Sequence, residues 1–186
     1  MNSLSNITQF SYQPTELVDA LNTLGVIFLR GGDGVPVTIA PDTFIAALAA
    51  SPEARLRMAL IPLLLTHPEF AADVDEALQS LSLDAGIVLR CYYTAAYWLQ
   101  AKYRARLVSV CGLKAQLPNL FSAELNMAGY TEPDAALRAL AVRQQEMTGR
   151  VLNWHGTYGH AAQSWLRFME HKNRWQQSHP IKFTHS

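Results

Sequence analysis

The segment LDAGIVLRCYYTAAYWLQAKYRARLVSVC, residues 83–111, limits what this chain can fold into more than any other stretch. It reads as one helix with Ser82 as its cap, and in its middle Tyr92, Tyr93, Tyr97, Trp98 and Leu99 leave no polar side to face water. A helix that is apolar all round has to be surrounded, so it belongs at the centre of a bundle. The apolar runs 58–68 and 91–101 fall well short of the ~20 residues that span a bilayer, so they are expected in a core and not in a membrane. Lys102, Arg104 and Arg106 follow, where cations suit the negative end of a helix dipole. Tyr93, Tyr97, Tyr103 and Arg104 could also form a stacking strip for single-stranded nucleic acid, but aromatic core volume is the simpler reading.

Further helices are expected around this segment. Thr15 is a cap for ELVDALNTL, which predicts a helix over 16–24 stopped by Gly25. Asp42 begins TFIAALAA, Ser51 and Pro52 begin EARLRMALIPLLL, and Pro68 opens EFAADVDEALQSL. Pro62 must kink or shorten its helix, because it removes a donor and crowds the preceding turn. LPNLFSAELNMAG reads as a connector with up to two helical turns; Thr131, Glu132 and Pro133 then start DAALRALAVRQQEMTG, and a last helix is expected over 160–177. Before residue 41, VIFL and VPVTIA flank RGGDG, which predicts a β-hairpin with Pro36 on an edge strand. The expected architecture is mainly α, with an N-terminal helix and β-hairpin appendage over 1–40 and a helical bundle domain over 41–186.

With 186 residues, 49% of them apolar, the chain is long enough to bury a core without disulfides. MNSLSNITQF has no basic region followed by an apolar run, so no signal peptide or membrane anchor is expected. Cys91 and Cys111, placed on one helix, would be about 30 Å apart and beyond disulfide reach. A reducing cytoplasm is the expected setting. The formal charge of zero conceals a division: residues 1–89 carry three bases against ten acids, a net of −7, and residues 90–186 carry twelve bases against five acids, a net of +7. Such asymmetry fits either an acidic or nucleic-acid partner or mutual neutralisation of the two halves.

Several chemistries lack their signatures. RGGDG is not part of a GxxxxGK[ST] or GxGxxG pattern. LGVIFLRGGDG is similar to the strand and Gly-rich turn of minimal nucleotidyltransferases but lacks the paired Asp-x-Asp that would hold magnesium. No Gly-x-Ser-x-Gly elbow occurs, and neither cysteine lies in an electropositive turn. His155 and His160 are five residues apart, about 140° round a helix, which does not suit a zinc pair. No metal or cofactor is therefore expected.

The stretch GRVLNWHGTYGH, residues 149–160, concentrates the remaining chemistry. Arg150, His155 and Tyr158 within it resemble the Arg-x4-His-x-Tyr motif of HEPN-type ribonucleases, here with two residues between His155 and Tyr158. That family consists of small helical bundles, often paired with minimal nucleotidyltransferases as toxin and antitoxin. The resemblance implies metal-independent RNA cleavage in a dimer. His155 would take the proton of a 2′-hydroxyl, Arg150 would bind the phosphate, and Tyr158 would hold the phosphate or orient the imidazole. A second Arg-x4-His pair, Arg174 and His179, precedes Pro180 and reads as accidental.

The same stretch can also be a structural corner, with Leu152, Trp154 and Tyr158 packed on the bundle, Asn153 and Thr157 as caps, and Gly149, Gly156 and Gly159 shaping the turn. Two classes of function follow. The favoured one is a non-catalytic cytoplasmic interaction partner, acting through a protein partner or a homodimer, as in a nucleotidyltransferase-type toxin–antitoxin module. The alternative is an HEPN-like endoribonuclease with RNA as its partner, which requires Arg150, His155 and Tyr158 on one exposed surface.

Overall fold

Helix α6, Leu83–Lys102, is the axis of the structure: Leu89, Cys91, Tyr92, Tyr93, Ala95, Ala96, Trp98 and Leu99 are all buried along it. In the computed structural model residues 12–112 and 115–178 are described; the first eleven residues, His179, Pro180 and His185 lie outside them. Before α6 come α1 (Pro14–Thr23), α2 (Pro41–Ala50), α3 (Ala54–Met58), α4 (Leu60–Thr66), a 3₁₀ turn (Pro68–Asp73) and α5 (Val74–Gln79). After it come α7 (Arg104–Cys111), α8 (Pro133–Thr148) and α9 (Trp154–Ser178). Helices α2, α4, α8 and α9 pack on α6, and Leu17, Val18 and Leu21 of α1 join the same core.

Local sequence explains most boundaries. Proline stands in the first turn of α1, α2 and α8, where its missing N–H costs no helical bond. The expected cap of α1 moves two residues back, to Gln13, whose amide donates to the Glu16 carboxylate. Ser82 accepts from the amide of Ala85 as expected. The helix containing Pro62 is interrupted at Ala59, and the helix expected over 83–111 breaks at Tyr103 (φ −106°, ψ 18°). The break leaves the Tyr103 ring flanked by Lys102 and Arg106 and its hydroxyl accepting from Gln163 Nε2 at 3.0 Å. Arg106 then pairs with Glu170 at 2.8 Å, tying α7 to α9. The connector 115–132 forms turns without a helix; buried Gln100 holds it by accepting the amide of Leu117 at 2.8 Å, while Tyr93 donates to the Pro118 carbonyl at 2.9 Å.

The β-hairpin expected within 26–39 does not form, and there is no strand among the described residues. The segment is tied to α1 instead. Buried Asp19 accepts the amides of Asp33 at 2.9 Å and Gly34 at 3.1 Å, and Thr23 Oγ1 accepts the amide of Val37 at 3.1 Å. A bond to a carboxylate contributes about 1.5–3 kcal/mol against about 1 kcal/mol for a neutral one, and a lone two-stranded hairpin is marginal in water. The anchored loop wins on that comparison, with Val26 buried and Leu29, Val37 and Ile39 packed on the core. Gly32 belongs to this arrangement, because a Cβ there would collide with the Asp19 carboxylate.

Asp19→Ala should therefore lower stability by about 2–3 kcal/mol in urea unfolding. Gly32→Ala should cost stability as well, and the two changes should not add, since both release the same loop. Full additivity would mean that Asp19 does not anchor it.

Candidate functional site

The corner between α8 and α9 is built by three local devices. Gly149 ends α8 in the left-handed region (φ 63°) and donates to the Gln145 carbonyl. Asn153 caps α9, its Oδ1 accepting the amide of Gly156 at 2.9 Å. A side chain at Gly156 would run into that Asn153 amide, so glycine here permits the cap. As a result α9 starts at Trp154, six residues earlier than the sequence suggests, and His155 and Tyr158 are helical. Arg150 stays outside, in the connection.

This geometry separates the three motif residues. Arg150 is exposed, its guanidinium bonds to no other described residue, and it lines a cavity of about 250 Å³ with Arg57, Ser82, Tyr92, Gln144 and Trp154. His155 lines another cavity of about 300 Å³, with Lys102, His160 and Gln163. Tyr158 is fully buried, its ring edge-on to Tyr92 at 5.8 Å between centroids and its hydroxyl donating to Gln144 Oε1. The structure thus does not bring Arg150, His155 and Tyr158 onto one surface. His155 and His160 do share a cavity, but among the described residues no three His, Cys, Asp or Glu side chains gather.

Burial governs the acid–base chemistry here. It pushes the Tyr92 hydroxyl up to about 12 despite the opposing charge of Arg57. It also raises Tyr158 well above the ordinary phenol range, with Cys91 and Tyr92 adding to the effect. The Cys91 thiol is pushed up to about 12, burial outweighing the arginines at 143 and 90. None of these groups is an anion at neutral pH, so this part of the core offers no activated nucleophile. Of the proposed stacking strip, Tyr93 is buried and committed to Pro118.

The ion pairs among the described residues, Glu53–Arg55, His67–Glu69, Arg90–Glu124, Lys102–Asp134, Arg106–Glu170 and Arg143–Glu146, each stay within one half. Among the described residues, direct pairing therefore does not join the acidic half to the basic one.

The sequence reading missed Arg57, Tyr92 and Gln144 as neighbours of Arg150. Gln144 had a detectable signal: Leu137, Leu140 and Gln144 follow the apolar stripe of α8, so a polar residue stands where the pattern requires a core residue. Arg57 had none, since its position depends on how α3 folds back. No protein family, curated protein or solved structure matches this chain.

Tyr158→Phe should cost about 1–3 kcal/mol in urea unfolding, because it leaves the buried Gln144 carbonyl without its donor. Adding Gln144→Leu should recover part of that loss by removing the orphaned group. A neutral Tyr158→Phe would place the hydroxyl outside the packing argument.

Proposed function

We propose that this chain works by association with another protein and not by catalysis. The observation that carries the reading is the separation of Arg150 from His155, in different cavities, with the Tyr158 hydroxyl committed to Gln144. Cleavage of a 2′-hydroxyl-activated phosphodiester needs base and cation within reach of one phosphate. The α8–α9 connection instead exposes Val151 (83%) and Leu152 (55%), side chains that gain by being covered. No helix among the described residues is long and apolar enough to cross a membrane. The opposite net charges of the two halves, −7 and +7, add a means of orienting a partner.

The likeness of Arg150, His155 and Tyr158 to the HEPN motif supplies the class of partner: a minimal nucleotidyltransferase, in a cytoplasmic bacterial module of the toxin–antitoxin type. In that setting the chain is the non-catalytic member.

Mixed with a minimal nucleotidyltransferase, the chain should sediment as a complex that Val151→Glu with Leu152→Glu disperses. Sedimentation as separate species would remove this class of partner. In metal-free buffer, wild type and His155→Ala should both leave a mixed-sequence RNA intact. Cleavage by wild type that His155→Ala abolishes would replace association with endoribonuclease activity by Arg150 and His155.

A further inference from the structure

We propose that the cavity where α2 and α8 end and α6 begins is a binding site for a small organic oxyanion, a carboxylate or a phosphate on an apolar body. Its volume of about 250 Å³ equals about eight water volumes, enough for on the order of ten non-hydrogen atoms. Two arginines from distant parts of the chain, Arg57 and Arg150, line it together. Arg57 spends Nη1 on the carbonyls of Ser51 at 2.6 Å and Pro52 at 2.8 Å, which fixes the side chain and leaves its other nitrogens unbonded to described residues. Arg150 is uncommitted. The first turn of α6, a helix of 20 residues, adds the positive end of its dipole, against one carboxylate, Asp84.

Tyr92 lines this space beside the two arginines. Tyr92 is 2% exposed, and its hydroxyl bonds to no described residue. A phenol hydroxyl without a partner beside two guanidinium groups matches an oxyanion, with Tyr92 donating to one of its oxygens. Trp154 and Val88 supply an apolar wall for the rest of the ligand. The proposal does not depend on the association reading.

Titration of the isotope-labelled full chain with phenyl phosphate, benzoate and neutral benzamide, followed by NMR at the Trp154 indole N–H, tests this. That group donates to the Arg150 carbonyl and borders the cavity. Saturable shifts with phenyl phosphate or benzoate are expected, and which anion binds more tightly identifies the headgroup. Benzamide should bind at least about tenfold more weakly, and Arg150→Gln should weaken anion binding by at least about tenfold without changing the melting temperature. Arg174→Gln, far from the cavity in the chain, should change nothing. No saturable shift at millimolar anion, equal binding of benzamide, or anion binding that survives Arg150→Gln would each overturn the proposal.

Discussion

The structure depends on the enclosure of α6. A helix without a polar face cannot rest against water on any side, so its neighbours must close around it from both parts of the chain. Helices α2 and α4 come from the acidic half, and α8 and α9 from the basic half. Everything else is arranged by that requirement: the short α3 and α5 fill in beside α2, and the irregular connector 115–132 covers Tyr93 and Gln100 where no helix does. Truncating any of the fully buried leucines on these helices would cost about 2–5 kcal/mol, a large share of the stability of a domain this size.

Much of the helical layout was readable in the sequence because its signals are local. Prolines at helix starts, the Ser82 cap, the glycine after α8 and the interruption associated with Pro62 all act within a turn of where they stand. The region between α1 and α2 was misread because its deciding interaction is not local. The runs VIFL and VPVTIA have the composition of strands, but their backbone is held by Asp19 and Thr23, on a helix that ends before they begin. A β-hairpin competes poorly when a buried carboxylate already offers charge-assisted acceptors to the loop between its arms. The break at Tyr103 was hidden for a similar reason: its hydroxyl accepts from Gln163, sixty positions away.

The candidate site was legible in part. Residues 149–160 do form the corner, and Asn153 does cap. The spacing of Arg150, His155 and Tyr158 could not reveal that α9 starts between the first two. Once it does, the phase of the helix turns Tyr158 into the core and His155 away from the cavity of Arg150. Arg57 became visible only with the tertiary structure, since no spacing in the sequence relates it to residue 150.

The hydrogen bond between Tyr158 and Gln144 also acts as a register key. Slide α8 along α9 by one turn, or rotate it by one residue, and a phenol and an amide are stranded in an apolar interior while their apolar neighbours could still find new contacts. Hydrophobic contacts alone tolerate such slips, because one leucine replaces another at little cost. A polar pair does not, so it separates the native alignment from its near misses by several kcal/mol. The corner of the molecule is thereby held to one geometry, and the position of Arg150 beside Arg57 is inherited from it.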